Sequence, residues 1–299
     1  GTFDFLPGQA FSAGVDFDHM WGDREWAVGG YLAGTLVRGD PLALLEIQTS
    51  SNHYFQRPDG AFEVDSGRTS LAGASWQLGV ERRSGEHWTG SVGVSRTTGG
   101  FEVNDLGFSG SGESIGLNAE ARYREIRPGR LFRDWSLAVQ TFQGWRGAVL
   151  EDPFDADRIQ REHKGGSAWM DARWTLNNFW GGFFEYAYRP EVQSDVATRG
   201  GPLMTQPRNH NFELRLNSDE RRPVSVEASA QRETGRALDN LELGFGVTWR
   251  PAPRLELEVE PEFQRTAVGD QFVAAFDDPA FAPTYGTHYL FGDLERTSV

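Results

Sequence analysis

No cysteine occurs among the 299 residues, which excludes disulfides and thiolate metal sites. No run of eighteen apolar residues occurs either, and the mean hydropathy is −0.52. That excludes a transmembrane helix but not a transmembrane barrel, whose signal per strand is weak. Positive charge is in short supply: 29 Lys and Arg stand against 43 Asp and Glu, for a net charge of −14. A general nucleic-acid or anionic-lipid binder is therefore not expected. The start, GTFDFLPGQAF, lacks the basic and apolar regions of a signal peptide. Helical periodicity is nearly missing.

What the chain has is glycine (36), tryptophan (10) and alternation. In SIGLNAEARYREI, Ile115, Leu117, Ala119, Ala121 and Tyr123 fall on one parity, and Asn118, Glu120, Arg122 and Arg124 on the other. A period of two is a strand with one apolar and one polar face. Similar segments recur at about 11–17, 26–36, 42–50, 69–81, 87–97, 134–149, 166–176, 180–189, 209–217, 223–232, 238–250, 255–266 and 287–296. About fourteen strands and no linker predict one all-β domain spanning 1–299.

The connections alternate between short and long. RGDP (38–41), RRSGE (82–86), RPGRLFR (127–133), NN (177–178), SDERR (218–222) and PAPR (251–254) are short. Those near 50–68, 97–112, 150–165, 190–208 and 267–286 are long, with MWGDR (20–24) and TGRAL (234–238) as short exceptions on the long side. Tight turns at one end and long loops at the other predict an antiparallel up-and-down barrel. Trp88, Trp135, Trp174, Trp180 and Trp249 beside the short turns fit an aromatic girdle. On this reading the apolar face meets lipid. Glu120, Arg122, Arg124, Arg215, Glu256, Glu258 and Glu260 then line a wet lumen. The alternative is a soluble β-sandwich binding module.

HYFQRPD (53–59), GFEVNDLGF (100–108), TRGGPLM (198–204) and the early AGVDFDH carry a resemblance over nearly the whole chain. They resemble an uncharacterised bacterial outer-membrane barrel family, usually found after a domain similar to family-9 carbohydrate-binding modules. The resemblance implies a barrel, an outer-membrane address and a link to glycans, with no reaction and no catalytic residues. The carbohydrate-binding-like domain is not in this chain, and GDLERTSV lacks a terminal aromatic strand. The chain is thus expected to be a fragment of a larger barrel.

Catalytic and metal motifs are not found. The six histidines show no ligand spacing, no G-x-S-x-G elbow occurs, and EDPFDAD (151–157) lacks the spacing of a calcium loop. No cofactor, catalytic residue or metal ligand is assigned. An outer-membrane enzyme acting on glycan or lipid stays open as a further alternative, because barrels can assemble sites from distant strands. The expected partners are the outer-membrane bilayer, a saccharide and the chain's own missing front domain. The candidate rim is Tyr54, Arg57, Asp59, Asn104, Asp105 and Arg199, whose loops share a parity and so emerge at one end. Arg57 and Arg199 are expected to find carboxylates there. Parity also predicts that the 177–178 turn includes Phe179, since a two-residue turn would send Glu185 outward at a cost of roughly 2 kcal/mol.

Overall fold

The computed structural model describes residues 8–103 and 112–298. The first strands are β1 (Gln9–Trp21) and β2 (Trp26–Arg38), followed by helix α1 (Pro41–Thr49). Then come β3 (Ser70–Arg82), β4 (Trp88–Thr97), β5 (Ser114–Glu125) and β6 (Phe132–Trp145). Helix α2 (Ala156–Glu162) leads into β7 (His163–Leu176) and β8 (Gly181–Arg189). A small hairpin, β9 (Val192–Ser194) and β10 (Met204–Gln206), precedes β11 (Asn209–Asn217), β12 (Val224–Gly235) and β13 (Leu238–Ala252). The chain continues through β14 (Leu255–Val259), β15 (Glu262–Asp277) and β16 (Thr287–Ser298).

All these strands except the β9–β10 hairpin form one fourteen-stranded sheet, antiparallel throughout and in up-and-down order. Strands β14 and β15 both pair β13 in one register, with Val247 opposite Val259 and Gly244 opposite Glu262. They are two halves of one strand, interrupted where Pro261 has no N–H to give the ladder. Among the described residues β1 and β16 are the sheet's edges and do not pair with each other.

Two expectations fail. Of the long connection expected at 267–286, residues as far as Asp277 belong to β15, which leaves only 278–286 as loop. Residues 42–50 are not a strand, because 41–49 is helix. The segment RGDP is a helix start instead of a hairpin turn: Asp40 accepts the Leu42 N–H at 2.9 Å and Pro41 sits in the first turn. Leu44 and Gln48, one helical turn apart, are fully buried. With that strand removed, the β1–β2 connection moves to the short-turn end and ceases to be an exception. Trp21 and Trp26, stacked at 6.3 Å across this hairpin, join the girdle there. Tyr123 ties two of the expected girdle members together, lying 5.1 Å from both Trp88 and Trp135.

The two faces are opposite in character over the whole sheet. Trp88, Tyr123, Leu137, Ala172, Phe184, Leu214, Ala230, Leu243 and Phe263 stand opposite one another in turn from β4 to β15. The other face carries Arg122, Ala138, Asp171, Glu185, Glu213, Gln231, Glu242 and Gln264 in the same way. Burial is inverted relative to an ordinary β domain. Val139 is 55% exposed and Phe245 51%, while Asp171 is 2% exposed. Asp171 is held there by Gln140 at 2.8 Å and the Arg122 guanidinium at 3.5 Å, because a buried charge needs partners.

The apolar core among the described residues is small and lies at the long-loop end of the polar face. Inward-facing Val37 and Leu71 oppose each other and are covered by Leu44 of α1 and by Phe55. The first long loop therefore folds over the polar face at that end.

At the other end, the 177–180 turn has the expected length. Thr175 pairs Gly181, Leu176 N–H donates to Trp180, and Glu185 stays on the polar face opposite Asp171. Phe179 takes the left-handed conformation (φ 65) that a three-residue hairpin loop requires. Its ring lies under Arg221 at 3.2 Å and Arg133 at 4.8 Å. The paired grip of Arg221 on Asp219, at 2.7 and 2.8 Å, holds that carboxyl down to about 2. Phe179→Val is expected to destabilise the fold by about 1–3 kcal/mol, as a β-branched residue resists positive φ. Phe179→Gly should cost less, losing the ring contacts but relieving the backbone. Urea unfolding of both variants checks the order, and equal losses would contradict it.

Candidate functional site

Four long loops occupy one end of the sheet: 39–69, 98–113, 146–162 and 190–208. Parity put them there, and their side chains link them in a closed circuit. The first joins the second through His53, whose Nε2 lies 2.8 Å from Glu102 and whose Nδ1 lies 2.8 Å from the Gly99 carbonyl. A carbonyl only accepts, so Nδ1 donates to Gly99. Side-chain exposure is 1% for His53 and 6% for Glu102.

Lys164, the chain's single lysine, joins the second loop to the fourth from its position at the end of the third. Its Nζ donates to the Glu113 carbonyl at 3.0 Å and meets Asp195 at 2.7 Å. Arg146 joins the third and fourth loops. It donates to Glu162 at 2.9 Å, to the Gln193 carbonyl at 2.8 Å and to the Arg161 carbonyl. Asp59 closes the circuit by accepting the Leu203 N–H at 2.6 Å.

Of the sequence-derived rim residues, Tyr54, Arg57, Asp59 and Arg199 lie in these loops. Arg57 pairs with Asp59 at 2.9 Å. Tyr54 lies against Gly200, where an added Cβ would fall 2.4 Å from Gln56 and 3.2 Å from the Tyr54 ring. Gly200 also has φ +98, so TRGGPLM needs its glycine twice over. Arg199 lies over the Phe272 ring of β15 at 4.7 Å. Asn104 and Asp105 lie outside the described residues. The expected lumen residues Glu120, Arg122, Arg124, Arg215, Glu256, Glu258 and Glu260 all lie on the polar face, with Arg250 reaching Glu256 at 2.5 Å.

Sequence reading missed the links between loops. His53 was set aside for want of metal spacing, and its partner is 49 residues away. Lys164 carried a signal in being the only lysine. In EDPFDAD, Asp155 serves as the N-cap of α2. Among the described residues no three His, Asp or Glu converge to hold a metal.

A cavity of about 410 Å³ lies between the loops, lined by His53, Phe62, Arg57, Arg146, Lys164 and Leu203 among others. Its cations are each matched by a carboxylate: Asp59, Glu162 and Asp195. Burial pushes the Glu113 carboxyl up, against the pull of the Gly147 N–H and of Arg96 and Lys164. The cavity is thus close to neutral while presenting donors and acceptors side by side.

An all-β, antiparallel up-and-down sheet with an apolar outer face and a loop-capped polar face is the class that the fold and site define. The chain belongs to the family described as a domain of unknown function (DUF5916), whose family model matches residues 43–299. No curated protein matches it. A similar solved structure is a mutant ferric enterobactin receptor from Pseudomonas aeruginosa, at 10% identity and a TM-score of 0.43. The match covers 96% of this chain and 47% of the receptor, so the chain spans about half the length of that protein.

Lys164→Met leaves Asp195 nearly buried without a cation and should cost about 3 kcal/mol of cap stability. Hydrogen exchange in 190–208 is expected to rise, and Asp195→Leu in the same chain should restore much of the protection. Unchanged exchange would contradict the circuit. A raised Glu113 pKa means the folded cap holds that proton more tightly than the unfolded chain does. Its contribution therefore favours the cap below the ordinary glutamate range and is lost as pH rises through the folded value. Glu113→Gln should flatten this part of the pH dependence of exchange in 146–162.

Proposed function

We propose that the chain is a wall of a bacterial outer-membrane β-barrel whose long-loop mouth is capped and serves as its binding surface. The observation that carries this is the inverted burial. Outward positions such as Phe11, Val15, Leu32, Val139 and Phe245 are 51–70% exposed, while Asp171 on the opposite face is 2% exposed and held by Gln140 and Arg122. Contiguous exposed apolar surface on this scale needs a non-aqueous neighbour. From Leu241 to Trp249, five successive outward residues of β13 run roughly 27 Å along the strand. Tilted by about 40°, that row stands about 20 Å tall, within the roughly 25 Å band of outer-membrane barrels.

The cap reads as a receptor surface for a polar, near-neutral molecule rich in hydroxyls. Its paired cations and carboxylates offer hydrogen bonds without net charge, and a saccharide has that chemistry. A role in transport or in surface binding follows from whether the cap opens.

Refolding the chain into vesicles of brominated phosphatidylcholine tests the membrane assignment. Bromine quenches only tryptophans in contact with acyl chains, so outward Trp88, Trp135 and Trp249 should give strong quenching. A monodisperse protein without detergent, or emission indifferent to bromination, would contradict it. Soaking the refolded protein with oligosaccharides should reduce exchange in 39–69 and 190–208 together, and no change with any of them would remove the saccharide.

A further inference from the structure

Charge is sparse on the outward face and gathers toward its long-loop side, where Arg96 and Asp239 also stand, and there Arg232 and Arg265 share one row. Phe212, Arg232, Leu241, Arg265 and Thr297 oppose one another in turn across β11, β12, β13, β15 and β16. Both arginines are exposed. A cation on the lipid face costs roughly 2–4 kcal/mol at mid-membrane and close to nothing at its boundary. The row therefore marks the edge of the apolar band on the long-loop side. Next to it Tyr186 donates to or accepts from His210 at 2.9 Å, an amphipathic pair suited to the same depth. The opposite boundary is marked by tryptophans, so the two edges differ chemically.

Resting on the membrane assignment above, we infer that Arg232 and Arg265 hold the phosphate of a phosphorylated lipid in the leaflet on the long-loop side. Two guanidinium-bearing positions flank Leu241, separated by two strand spacings, or about 10 Å. An arginine at a membrane edge can lay its stem along apolar surface while its head reaches the polar region. Arg265 has no ion pair among the described residues, and Arg232 meets Asp239 at 2.6 Å. Asp239 thus competes with a phosphate for Arg232 and leaves Arg265 the stronger anchor. The chain's net charge of −14 confines this attraction to the row and gives no general affinity for anionic surfaces.

The test uses the full chain inserted in phosphatidylcholine nanodiscs doped with phosphatidic acid. Lipid retained on the released protein is counted by native mass spectrometry. Phosphatidic acid should be retained in preference to phosphatidylcholine, and inorganic phosphate should not displace it. Arg265→Gln should lower retention about fivefold, the factor that one cation near an anionic surface contributes. Arg265→Lys should keep most of it, and Asp239→Asn should raise it. Arg130→Gln, at the short-turn end, should leave it unchanged. Inserted Arg265→Gln protein with full retention, or a loss on Arg130→Gln instead, overturns this inference alone. Failure of the unaltered chain to insert overturns it together with the membrane assignment.

Discussion

The constraint on which everything else depends is the two-residue period of the strands, kept in register across the whole sheet. Cross-strand pairs mostly put like with like, so most of the charge collects on one face and most of the hydrocarbon on the other. A slip of one residue in any turn would exchange the faces of every strand beyond it. This explains why Phe179 tolerates a left-handed backbone. A shorter turn would spare that residue and misplace Glu185, with every outward aromatic of β8 turned inward. The same requirement explains why Pro261 is accommodated by a gap in one ladder while the register continues past it.

Having gathered the charges on one face, the fold covers the long-loop end of that face with its loops. They do so with a small apolar core around Leu44 and Phe55 and a circuit of four inter-loop links. Three of the links are sheltered from solvent, and the Asp59–Leu203 link is exposed. His53, Arg146 and Lys164 are largely buried, and each gives at least one hydrogen bond or ion pair to a group from another loop. In such a network, losing one partner exposes the next to an unpaired buried charge, so the cap should loosen cooperatively.

Most of the sheet was legible in the sequence because alternation and connection length are local signals. Segment 42–50 misled because Leu42, Leu44 and Ile47 partly mimic alternation. The Asp40–Pro41 start and the anomalous MWGDR connection both pointed to a helix. The candidate site was legible only in outline. QRPD and RGGP could be placed at one end by parity, but His53–Glu102 and Lys164–Asp195 join residues whose proximity is created by the sheet itself. The row of Arg232 and Arg265 was also overlooked, because a single polar residue does not break a strand's pattern; it takes the register to show that they stand side by side.

The absence of native cysteine makes the central claim directly measurable. Single cysteines introduced at each position from Leu241 to Trp249 of the refolded chain can carry spin labels. Their accessibility to oxygen and to a water-soluble nickel chelate then reports the surroundings of each side chain. The account predicts a period of two, with oxygen favoured at Leu243, Phe245 and Val247 and the nickel chelate favoured at Glu242, Gly244 and Gly246. Equal exposure of both sets to the nickel chelate, or no alternation at all, would contradict it.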